Sequence, residues 1–417
     1  MNNNQVHSEG IAESHEPQKW WQRCWIVIIS TSSIVLIIFA IILSLILKFV
    51  VFAPKESEIT TVTLPSLATI ISTEATTTEI ATQLSNWSNT DSMKYARRGH
   101  QACVLMNGKV LVSGGIGNDD HLSSAELYDL STGIWTITGS MNDARFTHTS
   151  ILINGKVLVT GGANDNSRLN SAELYNPLTE TWKPTGRMNN ARRSHTISLL
   201  KNGEVLVAGG IISNGIALNS VEVFDSSTEL WSTLTNMNNV RYGHTASVLL
   251  NKKLLITGGC SDHNTYLNSV ELYDPSTDTW TTISSMNNRR YGHTASILKD
   301  GKVLITGGTS DVGEYLNSAE FYDSSTGTWM TVNSMNHARA HHTASVLKDG
   351  NVLVTGGYAG GSVDTSELYD SSTGTWIHIV SMNYARAQHT ASVLTNGNVL
   401  ITGGIHYNQA LNTVELY

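Results

Sequence analysis

Cysteine is almost missing from this chain of 417 residues: three occur, at Cys24, Cys103 and Cys260. That excludes a disulfide-built framework and a cysteine-rich zinc site, both of which need closely spaced clusters. Charge is equally scarce. Only 14% of residues are Asp, Glu, Lys or Arg, and the formal balance is -8 with an isoelectric point near 6.0. A nucleic-acid partner is thereby disfavoured, because phosphate contacts draw on clustered Lys and Arg. Proline is limited to 6 residues while glycine reaches 34. The chain is too apolar for wholesale disorder, and too rich in glycine for a helix bundle or coiled coil. It shows no phosphate loop, Gly-x-Ser-x-Gly elbow or paired-carboxylate signature. The length allows two or more domains, or one large repeat fold.

What is present begins with an apolar run. Residues 25–47 carry no charge over 23 positions, and hydrophobicity continues beyond Lys48 to Phe52. At about 1.5 Å per residue, such a helix spans the roughly 30 Å hydrocarbon core. The hydrophobic part of a cleavable signal peptide is only about 7–15 residues and is followed by a small-residue cleavage site. The expectation is therefore an uncleaved single-span anchor over 25–53, preceded by a short tail, 1–24. Lys19 and Arg23 on one side balance Lys48 and Lys55 on the other, so basic residues do not set the orientation. Residues 57–92 hold 16 Ser or Thr. Such a tract cannot build a core and suits an exposed, O-glycosylated stalk, assigned to 54–83. This favours the tail inside and the C-terminal part outside, at the plasma membrane. Asn86-Trp87-Ser88 is the one sequon, and Cys24 is a palmitoylation candidate at the membrane edge.

From residue 84 to 417 the sequence repeats itself. Met93, Met141, Met188, Met237, Met286, Met335 and Met382 recur at intervals of 47 to 49 residues. Each is followed by a Gly-Gly pair, as in Gly209-Gly210 and Gly356-Gly357, and then by a Glu-hydrophobic-aromatic triplet such as Glu126-Leu127-Tyr128. Every unit reads as four short strands. The first resembles Arg339-Ala340-His341-His342-Thr343-Ala344-Ser345-Val346-Leu347, with period-2 alternation. It turns at Asn-Gly or Asp-Gly in six units, which predicts a type I′ hairpin; Asn251-Lys252 departs. The second is a buried apolar run such as Val352-Leu353-Val354, the third carries Glu-Leu-Tyr, and the fourth is marked by Trp329 or its equivalent. Four antiparallel strands in a unit of about 40–50 residues, repeated radially, describe a seven-bladed β-propeller.

Paired glycines after an apolar strand, followed by a spaced Tyr and Trp, resemble the kelch family over residues 84–417. The wording His-Thr-Ala-Ser…Val-Leu-Val-Thr-Gly-Gly is also similar to the kelch-type propeller of galactose oxidase relatives. The first resemblance implies a partner-binding face. The second implies copper held by Tyr and His, with a Tyr–Cys cross-link, and Cys103 is the thiol considered for that role. Units with almost no insertion favour Cys103 as a small residue standing where Ser345 stands in its own unit. Many kelch proteins carry an N-terminal domain that recruits ubiquitin ligases; an anchor occupies that place here, and the role is not carried over.

Three rings of side chains recur once per unit. His100, His148, His195, His244, His293, His342 and His389 invite a metal reading, but zinc needs three or four ligands about 2.0–2.1 Å from one point. Side chains of stacked sheets instead point between blades, so no metal or other cofactor is expected. Arg97, Arg145, Arg192, Arg241, Arg290, Arg339 and Arg386 are matched by Glu126, Glu173, Glu222, Glu271, Glu320, Glu367 and Glu415. Equal numbers point to ion pairs within blades, with a basic ring for an anionic ligand as the alternative.

What varies is the loop between second and third strands: 116–122, 163–169, 211–218, 260–267, 309–316, 358–363 and 405–411. These loops share a face with the connections between blades. They supply the candidate ligand-binding residues Asp119, Asp120, His121, Arg168, Asp262, His263, Tyr266, Asp311, Glu314, Tyr315, Tyr358, His406 and Tyr407. Drift in unconstrained loops is the alternative. The functional expectation is a non-catalytic module for a protein or glycan ligand, with a copper-dependent or carbohydrate-acting enzyme, or a ligand-free scaffold, as alternatives. The tryptophans add a topological expectation. Trp135, Trp182, Trp231, Trp280, Trp329 and Trp376 each lie six residues before the next unit's Met, and Trp87 lies six before Met93. The last unit ends at Tyr417, short of a fourth strand, so residues around Trp87 are expected to supply it and close the ring.

Overall fold

The computed structural model describes residues 87–417. The tail, the expected anchor and stalk, Cys24 and Asn86 lie outside the described residues. Seven four-stranded antiparallel sheets follow one another around an axis. Blade one comprises Gln101–Val104, Val110–Ser113, Ala125–Asp129 and Ile134–Thr138, and the succeeding units repeat this order. The second strand is buried throughout, as in Val205–Ala208, because both of its faces are covered by neighbouring blades. Leu206 and Val221 of blade three pack with Leu254, Ile256 and Tyr273 of blade four. Each such aliphatic side chain contributes about 1.5–3 kcal/mol on burial.

The ring closes with its N-terminal strand. Ser88–Asn89 pairs antiparallel with Val414–Leu416, in the register Ser88 with Leu416 and Asn89 with Glu415, as the fourth strand of blade seven. Trp87 lies 5.2 Å from the Tyr417 ring and donates its indole N–H to the Val380 carbonyl at 2.8 Å. Trp182, Trp231, Trp280, Trp329 and Trp376 make the same kind of bond to the connection of the preceding blade.

Two local expectations change. The hairpin between first and second strands is type I′ only at Asn154-Gly155, where both residues have positive φ, 48° and 74°. Elsewhere the loop is one residue longer and a single left-handed residue, such as Gly108 or Lys252, suffices. The first strand is also shorter than its alternation implied. Regular pairing begins after the histidine, at Thr343–Val346 in blade six, because His341 sits in the left-handed region at φ 52°.

The repeated polar residues explain the repeat itself. Arg241 donates to the Gly258 carbonyl at 2.7 Å and to Glu271 at 2.7 Å, and Glu271 accepts the backbone N–H groups of Asn238 and Asn239. The same Arg–Glu pair recurs in all seven blades, fully buried. The seven arginines therefore form no open basic ring, and that alternative is removed. Each histidine reaches into the preceding blade: His195 bonds the hydroxyls of Thr149 and Thr160, each at 2.9 Å. His100 does the same across the closure, to Thr402 at 3.0 Å. Only His148 lacks a partner among these, since blade one carries Gln101 and Ser113 where five blades have two threonines and blade three has Thr196 with Ala208. The Gly-Gly pair makes room for this packing: a Cβ on Gly258 (φ +59°) would stand 2.6 Å from the Arg290 carbonyl and 2.9 Å from the His293 ring.

Candidate functional site: the axial loop face

Chain direction puts the blade-to-blade connections and the variable loops on one face, and the short hairpin turns on the other. On the loop face, the two residues between each Arg and His surround the axis. The second of them is left-handed in every blade: Gly99, Thr147, Ser194, Gly243, Gly292, His341 and Gln388 have φ between 48° and 65°. Their backbones link from blade to blade. Thr147 donates to Gly99, Ser194 to Thr147, Gly243 to Ser194, His341 to Gly292, Gln388 to His341, and Gly99 to Gln388. Between Gly243 and Gly292 the Tyr291 ring intervenes, in space that a Cβ on Gly243 would occupy.

The first of the two residues forms a ring above this floor. Arg98, Phe146, Arg193, Tyr242, Tyr291, Ala340 and Ala387 each bridge, backbone to backbone, the residue after their own Gly-Gly pair. A hollow of about 250 Å³ is lined by Arg98, Phe146, Arg193, Tyr242, Tyr291 and Gln388. A second, of about 360 Å³, is lined by Tyr266, Tyr291, Tyr315, His341, Tyr358 and Gln388. Tyr291 and Gln388 belong to both, so the hollows adjoin. Tyr266 stacks parallel on Tyr291 with centroids 5.6 Å apart, and Tyr315 meets Tyr358 edge-on at 5.6 Å. A hollow of about 310 Å³ on the opposite face lies among Lys201, Lys252, Lys253 and Asp274, and is spanned by the Lys253–Asp274 ion pair.

Of the candidates named from sequence, Tyr266, Tyr315 and Tyr358 converge on the second hollow. Arg168 is half-buried, and burial, followed by the neighbouring Arg193 charge, lowers its pKa. The others stay on the rim. His121 pairs with Asp165 and lies 4.7 Å from the Phe146 ring. Asp262 accepts the Ala217 N–H at 2.6 Å, tying the loops of blades three and four together. His263 belongs to the short turn Asp262–Asn264. Asp119, Asp120, Asp311 and Glu314 are exposed at loop tips. His406 and Tyr407 pack on each other at 4.1 Å in the blade-seven loop, with Tyr407 exposed.

The residues that build the mouth itself, Arg98, Phe146, Arg193, Tyr242, Tyr291, His341 and Gln388, were not among the candidates. Their signal lies in the sequence: they occupy the only two varying positions of an otherwise repeated Arg-x-x-His. The thiol reading also moves. Cys103 sits in the strand Gln101–Val104, where burial pushes it up to about 11. Cys260 is the cysteine at the axial mouth, fully buried beside Tyr242, whose hydroxyl is pushed up by burial and then by this thiol.

The family profile described as Attractin/LZTR1 beta-propeller matches residues 165–368 and 217–415. The profile described as KLHDC2/KLHL20/DRC7 Kelch-repeats domain matches residues 72–248. No curated protein matches the chain. Among solved structures, a novel fungal alcohol oxidase with catalytic diversity among the AA5 family, in complex with copper, is similar at 17% identity. The likeness covers 80% of this chain and 76% of that one, with a TM-score of 0.67. The structure of YjhT is similar at 17% identity, covering 70% of this chain and 99% of that one, with a TM-score of 0.56. At such identity these likenesses speak for the fold alone. Seven glycine-paired blades, tied by Arg–Glu pairs and matched by both profiles, make the chain a member of the kelch-repeat β-propellers.

Proposed function

We propose that the chain is a non-catalytic binding module whose loop face takes a protein or glycan ligand. One observation carries this reading: the varying residues of Arg-x-x-His and the loop tyrosines Tyr266, Tyr315 and Tyr358 line adjoining hollows at the axial mouth, while the repeated residues are consumed by packing. The proposal includes display from a membrane by residues 25–53, with the propeller outside the cell at the plasma membrane. The described chain enters the ring on the turn face, since Trp87 precedes a strand that starts there. The test of ligand binding uses the full-length chain in detergent micelles on arrays of defined oligosaccharides and peptides. Binding that is lost with Tyr291→Ala, but kept with Lys201→Ala on the turn face, is the expected result. Binding insensitive to Tyr291 overturns the assignment of the face. External protease on intact cells is expected to release the propeller; protection overturns the orientation.

The second reading is a copper-dependent oxidase, favoured by Cys260 lying beside Tyr242. The donor set fits copper poorly. Six of the seven repeated histidines bond threonine hydroxyls between blades, and His341 meets Tyr291 edge-on at the mouth. Among the described residues, no three His, Cys, Asp or Glu side chains gather as a metal site. Stoichiometric copper in the purified full-length chain would reinstate the oxidase.

A further inference from the structure

Two groups stand out among the arginines of the propeller. The seven repeated ones spend their terminal nitrogens on a carboxylate, a hydroxyl and carbonyls, as Arg192 does with Glu222 at 2.6 Å, Ser220 and Gly209. Arg98 and Arg193 hold the same position in units one and three, where the other units have Phe, Tyr or Ala, and Arg168 stands in the variable loop of unit two. Among the described residues these three join no ion pair, which sets them apart; the Nε of each is buried without an acceptor, as it also is in Arg97, Arg145, Arg192 and Arg241. Arg98 and Arg193 line the same 250 Å³ hollow, Arg193 lies 5.9 Å over the Phe146 ring, and Arg168 adjoins Arg193. The nearby acids are used elsewhere: Asp165 on His121 and Asp262 on the Ala217 N–H. Two guanidinium groups in one hollow, with a third beside Arg193, carry like charges that repel one another. A bound carboxylate or sulfate relieves this repulsion, and guanidinium forks match such groups in two parallel hydrogen bonds.

The other half of the groove specifies what the anion is attached to. Tyr266, Tyr291, Tyr315 and Tyr358 line it as two contacting pairs, each ring carrying a hydroxyl, and His341 and Gln388 add polar groups. Aliphatic lining is limited to Val312 and Ala340. A peptide anchor seeks a desolvated apolar socket. Rings with an apolar face and a wet edge suit a sugar, which pairs C–H faces with a rim of hydroxyls. We infer that the axial groove binds an acidic glycan, its carboxylate or sulfate seated by Arg98 and Arg193 and its neighbouring sugars laid on the tyrosines. This rests on the loop-face reading above.

The test is an oligosaccharide array in which every carboxylated or sulfated member is matched by its neutral parent, together with acidic and neutral peptides. It is probed with the full-length chain in detergent micelles. Acidic glycans are expected to bind at least tenfold more tightly than their parents, less so as salt rises. Arg98→Ala and Arg193→Ala are each expected to weaken them at least tenfold. Arg193→Lys, which keeps the charge without the fork, is expected to fall between, and it carries the test if the alanine variants melt early. Equal binding of neutral parents, preference for acidic peptides, or arginine variants indistinguishable from wild type would overturn the inference. Neutral or peptide ligands lost with Tyr291→Ala would overturn it while leaving the loop-face reading intact. Binding of no array member would overturn both.

Discussion

Acidification is the perturbation to which this ring is built to be sensitive. All seven repeated histidines are buried, and burial, followed in each by neighbouring arginines, holds them below the ordinary imidazole value. For His148, His293 and His389 the value is lowered to about 3. The folded chain thus binds fewer protons than the unfolded one over the interval from about 6.5 down to 3. Stability is full above the unfolded imidazole pKa near 6.5 and is lost as pH falls through that window. One such imidazole removes about 1.4 kcal/mol at pH 5.5, and seven together about 10 kcal/mol. Net stability is usually about 5–15 kcal/mol, so cooperative unfolding is expected between about pH 5 and 6. The assay is near-ultraviolet circular dichroism of the full-length chain in detergent micelles, with urea titrations at successive pH values. Below pH 6 the slope of stability against pH should approach about 10 kcal/mol per unit, the signature of some seven protons. A native spectrum persisting at pH 4.5, or a slope equivalent to one or two protons, would refute the reasoning.

Three other perturbations test the packing. Trp87→Ala removes an indole that is 8% exposed and closes the ring, and should cost roughly 3–5 kcal/mol by urea denaturation; deleting residues 84–92 should lower the thermal midpoint further, and an unchanged midpoint would mean the closing strand is dispensable. Glu222→Gln leaves the buried Arg192 without its counter-charge and should cost about 3–5 kcal/mol, whereas Glu204→Gln, at an exposed turn, should change stability by less than about 0.5 kcal/mol. Gly258→Ala forces a left-handed alanine against the Arg290 carbonyl and should cost at least about 2 kcal/mol, read as a lower denaturation midpoint.

Most of the architecture was legible because the packing demands are the same in every blade. A carboxylate that must accept two backbone N–H groups and an arginine has no substitute, so Glu222 and its counterparts recur unchanged. An indole that must reach the previous blade recurs at fixed spacing, which exposed the closing role of Trp87 without reference to its neighbours. Backbone sign was harder to read. His341 and Gln388 are left-handed although neither is glycine. Period-2 alternation through Arg339–Leu347 therefore looked like one strand, when the chain turns inward at its start. The hairpins misled for a related reason: Asn-Gly serves a type I′ turn at Asn154, and a longer loop elsewhere, depending on one residue of spacing.

The candidate site is only partly legible because loop variation marks just one part of it. Tyr266, Tyr315 and Tyr358 stand in variable loops and line the second hollow. Arg98, Arg193, Tyr242 and Tyr291 were hidden within the most regular part of the unit, flanked by an invariant Arg and an invariant His. Those flanking residues fix the backbone so firmly that the two positions between them are released from packing duty. At the first of the two positions, Arg98, Phe146, Arg193, Tyr242 and Tyr291 line the mouth and differ from blade to blade. In a propeller, the positions free to specialise are thus short gaps inside the repeat as well as its loops. Arg193 illustrates the rule: one residue from the fully committed Arg192, it joins no ion pair among the described residues and lies over the Phe146 ring at the mouth.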